Sequence, residues 1–152
     1  MSIERERKYL CKFFPEITGN CPKLEIKQGY MFNDDGKQFR IRLIDGKTAY
    51  VTLKVDLSDG LRHEFEYQVP YEDGIVMFGL CDYKLMKYRH IVIDEDNYKV
   101  VIDEYPSGLK VVEIEQQHGD IVPLDFCGKD VTGVKKYSNT YLAKNGENEE
   151  FV

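Results

Sequence analysis

Gln38-Phe39-Arg40-Ile41-Arg42-Leu43-Ile44 alternates polar and apolar residues from Gln38 to Leu43. Successive side chains of an extended strand point to opposite faces, so Phe39, Ile41 and Leu43 fall on one side and both arginines on the other. The same period continues outward in both directions. Tyr50 to Val55 and Arg62 to Val69 repeat it, with polar faces made of Thr52, Lys54, Arg62, Glu64, Glu66 and Gln68. Leu85 to Ile93 places Lys87 and Arg89 together, and Lys99 to Tyr105 and Leu109 to Glu115 add two β-rich runs. With Ile3 to Leu10 and Gln28 to Phe32, about eight strands are predicted. Asp45-Gly46, Asp59-Gly60 and Pro106-Ser107-Gly108 are hairpin turns by composition, so neighbouring strands are expected to run antiparallel. Glu72 to Cys81 and Ser138 to Lys144 are predicted helices, the first from its acidic start and the second from a capping serine and a following Gly146.

The chain has 152 residues, enough for one domain with a sizeable core. One domain is expected over residues 1–146, with 147–152 as a flexible acidic tail. The 42% hydrophobic and 32% charged composition, with 11 Tyr and 8 Phe, is that of a folded protein rich in charge. No apolar run approaches the ~20 residues of a membrane-spanning helix, and nothing resembles a signal peptide, so a cytoplasmic location is expected. Cys11, Cys21, Cys81 and Cys127 form no C-x-x-C pair, which argues against a zinc cluster or a disulfide framework. The net charge of −6 argues against a broad nucleic-acid-binding surface while leaving room for a local basic pocket.

The distinctive signal is like charge recurring two residues apart. Glu4 and Glu6, Arg40 and Arg42, Glu64 and Glu66, Lys87 and Arg89, and Glu113 and Glu115 each share one face of a predicted strand, roughly 7 Å apart. A single such pair is most often an ordinary wet face. Five pairs with signs segregated strand by strand are harder to explain that way, because like-charge neighbours repel unless something compensates them. Closing the strands into a barrel would gather Glu4, Glu6, Glu64, Glu66, Asp103, Glu113 and Glu115 with Lys8, Arg40, Arg42, Lys54, Arg62, Lys87 and Arg89. So many buried ions need partners, water or ligands. Carboxylates suit Mg²⁺ or Mn²⁺, and Arg and Lys suit phosphate oxygens.

These residues resemble the CYTH superfamily, also called the triphosphate tunnel metalloenzymes. The opening Glu4-Arg5-Glu6-Arg7-Lys8 is similar to its ExExK signature. The succession Gln28-Gly29-Tyr30, Arg40-Ile41-Arg42, Thr52-Leu53-Lys54, Arg62 to Tyr67, Lys87-Tyr88-Arg89, Ile102-Asp103, Val112 to Glu115, and Val131-Thr132-Gly133 through Tyr137-Ser138-Asn139 follows the family's order over nearly the whole chain. The resemblance implies a mainly β (α+β) fold, an eight-stranded antiparallel closed barrel with a few helices outside. It implies hydrolysis of inorganic triphosphate, or another triphosphate, to diphosphate and phosphate. Glu4, Glu6, Asp103, Glu113 and Glu115 are the implied metal ligands, for Mg²⁺ or Mn²⁺. The triphosphate would be held by Lys8, Arg40, Arg42, Lys54, Lys87 and Arg89, with Arg62 and Lys136 as further basic positions and Glu64 and Glu66 as an additional acidic strand. Lys8, Tyr30 and Glu113 are the implied catalytic residues, although Tyr30 is equally readable as a packing tyrosine after a Gly turn.

Two departures from the family bear on substrate: His90 follows the K-x-R pair, and Gly133-Val134-Lys135-Lys136 replaces an acidic and arginine pairing. His63, His90 and His118 are expected at the surface or in packing roles. The expected partner is a triphosphate-containing small molecule, with no DNA and no membrane; a homodimer is left open. Alternatives within the family are a class IV-type adenylate cyclase and a thiamine, nucleoside or RNA 5′-triphosphatase. Outside it stand a non-catalytic polyphosphate- or nucleotide-binding module and a structural β-domain.

Overall fold

The structure, a computed structural model, describes residues 5–16, 21–58 and 62–146. Glu4, the Asp59-Gly60 turn and the tail 147–152 lie outside the described residues. Two compact units are resolved, one of Glu25–Met86 with Asn139–Gly146, the other of Arg5–Leu24 with Lys87–Ser138. Both are built on antiparallel strands, as the alternation predicts, and the described residues are mainly β with two α-helices.

In the first unit β2 (Lys23–Asp34), β3 (Lys37–Ile44), β4 (Thr48–Asp56) and β5 (Arg62–Val69) lie in the hydrogen-bonded order β5-β4-β3-β2. Asp45 and Gly46 have φ of 53° and 64°, and Asp35 and Gly36 have 48° and 72°. Two consecutive left-handed residues turn a hairpin with the same hand as the strand twist, which is why Asp-Gly joins both β3–β4 and β2–β3. The second of these turns extends β2 beyond its predicted end at Phe32. Helix α1 (Tyr71–Leu80) starts after Pro70, carries Glu72 and Asp73 in its first turn, and ends where Cys81 becomes extended. It packs on β3 and β4 through Gly74, where a Cβ would overlap that of Ala49. Ile41, Leu43 and Ala49 thus form the apolar side of the unit with Met77 and Phe78 of the helix. A second helix, α2, spans Asn139–Asn145.

The second unit takes up β6 (Tyr83–Glu95) from Lys87 onward and orders its strands β6-β7-β8-β1-β9, with β1 at Glu6–Cys11, β7 at Tyr98–Glu104, β8 at Lys110–Gln116 and β9 at Cys127–Asp130. Tyr9, Val100, Ile102, Val112 and Ile114 alternate inward and are capped by Phe126. The ninth strand was not predicted. Cys127-Gly128-Lys129-Asp130 is four residues long and has no alternation, and it forms because Gly128 allows close approach: a Cβ there would sit 3.0 Å from the Leu10 carbonyl oxygen.

Candidate functional site

In each unit the face opposite the apolar core carries the predicted charges. On the first unit Tyr30, Arg40, Thr52 and Glu66 lie side by side across four strands, and Gln28, Arg42, Tyr50 and Gln68 form the adjacent row. Arg40 is only 7% exposed; it donates to Thr52 Oγ1 at 3.2 Å and stands 3.5 Å from Glu66, to which Thr52 also donates at 3.0 Å. Its Nε is buried with no acceptor among the described residues. Arg42 Nε donates to Gln28 Oε1 at 3.1 Å, and Gln28 Nε2 donates to the Tyr30 hydroxyl at 2.7 Å. Lys54 lies opposite Glu64 on the same face. Arg62 instead pairs with Asp56 at 2.8 Å, at the turn end of the β4–β5 hairpin.

The second unit has a chain of ion pairs. Asp103 is fully buried between Lys87, whose ammonium donates at 2.8 Å, and Arg89, which donates to both carboxylate oxygens at 2.8 and 2.9 Å. Glu113 lies 3.6 Å from Arg89 and 3.5 Å from Lys8. Burial by itself would raise the pKa of Asp103, but the charges and hydrogen bonds of Arg89 and Lys87 outweigh it and hold the acid well below the usual carboxylate range. For Glu113 burial likewise opposes ionisation, and Lys8, with Arg89 and Lys87, outweighs it together with the repulsion of Asp103. Arg89 keeps its proton more firmly than a free guanidinium, since Asp103 and Glu113 outweigh the cost of burying it.

Strand β1 is held from both sides. The Lys8 N–H donates to Thr132 Oγ1 at 2.8 Å and its carbonyl accepts from Val131 N–H at 2.9 Å. Thr132 is fixed in turn by its own N–H donating to Asp130, which pairs with Arg7. That pair holds the Asp130 carboxyl down at about 2. Because the polar backbone groups of Lys8 point to this side, the register pairs Lys8↔Glu113 and Glu6↔Glu115 are the non-hydrogen-bonded kind, in which side chains approach most closely. Two carboxylates therefore face each other at Glu6 and Glu115. A cavity of about 400 Å³ opens beside them, lined by Glu6, Lys8, Thr132, Gly133, Val134, Lys135 and Ser138.

Lys136 is exposed, with its ammonium 5.2 Å from the Tyr137 ring, while Lys135 faces the cavity. His63 stacks on Phe65, His90 lies 3.1 Å from Glu104, and the backbone carbonyl of His118 accepts from Gln116 Nε2. Among the described residues no group of three or more His, Cys, Asp or Glu is arranged to hold a metal, Glu4 being outside them. Also among the described residues, no helix is long and apolar enough to cross a membrane. Charge patterning did not reveal Gln28, Thr132 or Ser138, because they are uncharged; Thr132 and Ser138 sit beyond the alternating runs, and only the alternation of Gln28 with Tyr30 signals a shared face.

No family model matches the chain. It is 30% identical to a curated inorganic triphosphatase of Acetivibrio thermocellus over 156 residues, covering 95% of this chain and 96% of that protein. The crystal structure of the inorganic triphosphatase NE1496 superposes with a TM-score of 0.66 at 27% identity, covering 94% of this chain and 95% of that one. The PH1012 protein of Pyrococcus horikoshii OT3 shares the fold, with a TM-score of 0.56 at 20% identity over 77% of this chain and 80% of its own.

Proposed function

This chain belongs to the CYTH, or triphosphate tunnel, superfamily, and we propose that it is a divalent-metal-dependent triphosphatase that hydrolyses inorganic triphosphate to diphosphate and phosphate in the cytoplasm. The observation that carries the reading is Arg40, a buried guanidinium with a donor left open on a face shared with Arg42 and Lys54. Buried donors are nearly always satisfied, so an open one marks the place of an absent acceptor, and a phosphoryl oxygen fits a guanidinium best. The reading includes the closed eight-stranded tunnel expected from the sequence.

Hard carboxylate oxygens at Glu6 and Glu115, opposed at close register, fit Mg²⁺ or Mn²⁺, which take oxygen ligands of this kind. Glu4, Glu113 and Asp103 are the further proposed ligands. When bound, the metal supplies charge neutralisation of the triphosphate and activation of a water. The protein's own groups do the rest. Arg40, Arg42 and Lys54 orient phosphoryl oxygens, and Lys8, Lys87 and Arg89 stabilise charge that grows on the transferred group; Tyr30 and Glu113 complete the proposed catalytic set. Asp103, bonded to both Lys87 and Arg89, keeps these two cations in place. The test is phosphate release from inorganic triphosphate, ATP and thiamine triphosphate with Mg²⁺, with Mn²⁺ and with excess EDTA. Inorganic triphosphate should be cleaved with the highest kcat/KM, and EDTA should abolish turnover. Cyclic AMP as the main product from ATP, or full activity in EDTA, would sink the proposal.

A further inference from the structure

We propose that Gln28 is a positioning residue that sets the Tyr30 hydroxyl as a hydrogen-bond donor toward a phosphoryl oxygen of the substrate; this rests on the triphosphatase reading above. The side chain of Gln28 is 0% exposed, so its amide must find partners within the protein. Both partners are residues of the proposed site, Arg42 and Tyr30. Their chemistry fixes which way round the amide lies. A guanidinium Nε–H can only donate, so the amide oxygen faces Arg42 and the amide nitrogen necessarily faces Tyr30.

The consequence falls on the phenol. At 2.7 Å the Tyr30 oxygen accepts from Gln28 Nε2, so its own hydrogen is directed to a different acceptor. The relay also strengthens that donor. A cationic guanidinium on the amide oxygen polarises the amide N–H, and an N–H donated into the phenol oxygen makes the phenol O–H a better donor in turn. Tyr30 is 2% exposed and lies directly opposite Arg40, whose Nε is the buried donor without an acceptor. Two donors on neighbouring strands, one of them unsatisfied, are suited to one anionic oxygen. Tyr30 thereby acts by donation, and Gln28 is the reason it does.

The experiment is a double-mutant cycle of Gln28→Leu and Tyr30→Phe, read as kcat and KM for inorganic triphosphate with Mg²⁺. In the wild-type background Gln28→Leu should lower kcat about tenfold or more, with a smaller change in KM. In the Tyr30→Phe background the same substitution should cost no more than about twofold, because the hydroxyl it positions is gone. Gln28→Glu keeps the shape but accepts where the amide donated, so Tyr30 must turn its hydrogen inward; this variant should lose kcat at least as severely, and it carries the test if Gln28→Leu does not fold. Equal losses in both backgrounds, or wild-type kcat in Gln28→Glu, would overturn the proposal. A wild-type protein that releases no phosphate would sink the triphosphatase reading instead. The cycle is then read on calorimetric binding of inorganic triphosphate, where additivity overturns the Gln28 relay and non-additivity supports it.

Discussion

The two units carry the same kinds of residue on their polar faces and leave them in opposite states. On the second unit Lys87, Arg89, Lys8, Asp103 and Glu113 are linked by ion pairs at 2.8–3.6 Å. On the first, Arg42 donates to neutral Gln28, and Arg40 leans on a threonine hydroxyl, has one half-exposed carboxylate at 3.5 Å and keeps a donor open. One face is internally compensated and the other is prepared for an anion. Stability should therefore depend on the ion pairs of the second unit, and affinity on the arginines of the first.

The largest test is Asp103→Asn. It leaves Lys87, 0% exposed, and Arg89 without their shared counter-ion, and breaking such a buried pair costs about 3–5 kcal/mol. A fall in Tm of about ten degrees or more is expected for a chain of this size. A variant melting within two degrees of wild type would show that the pairs contribute no stability. Acid titration probes the same cluster. The pKa values of Asp103 and Glu113 are depressed in the folded state, so their contribution is complete above their unfolded values, roughly 3.9 and 4.3, and is lost as pH falls through the lower folded values. The Tm of the metal-free wild type should drop below about pH 4, and Asp103→Asn should show a shallower drop. Parallel curves would remove Asp103 as a cause.

Arg40→Gln is the counterpart on the first unit. Affinity for inorganic triphosphate should fall about a hundredfold, the equivalent of ~2.7 kcal/mol, while the Tm of the ligand-free protein changes little. Calorimetry and a melt in the same buffer check both halves. If the Tm falls as far as in Asp103→Asn, the contrast between the units fails. Smallest in effect is Thr132→Val, which strips the Lys8 N–H of its acceptor at a cost of about 1 kcal/mol. It should also lower kcat by loosening the strand that carries Glu6 and Lys8, whereas Thr132→Ser should restore both; kinetics and melts of the pair decide the matter.

Alternation alone disclosed the strands that hold Arg40 and Arg42, Lys87 and Arg89, and Glu113 and Glu115, because a two-residue period maps directly onto a face. The same rule could not reach β9, whose four residues pair only because Gly128 lets the chain come close to β1. Nor could it tell that Arg62 would be drawn to Asp56 at a hairpin end, since that depends on register set by a turn. The roles of the uncharged members, Gln28 and Thr132, lay beyond alternation for a different reason. Their importance lies in which groups they touch, and contact is decided by strand pairing between distant parts of the chain.

Strand β1 pairs with β8 and β9, both in the last third of the chain. It is synthesised before either partner, and it bears Glu6 and Lys8. At ~5–20 residues per second it leaves the ribosome on the order of ten seconds before its partner β8 exists. Closing so long a loop costs entropy that no local contact offsets, so this pairing is expected to form late. The charges of Glu6 and Lys8 on its polar face suit this wait: a nascent strand charged on one side is a poor template for association with other chains. Glu6, proposed to hold a metal in the finished protein, thus helps with Lys8 to protect an unpaired edge during its synthesis.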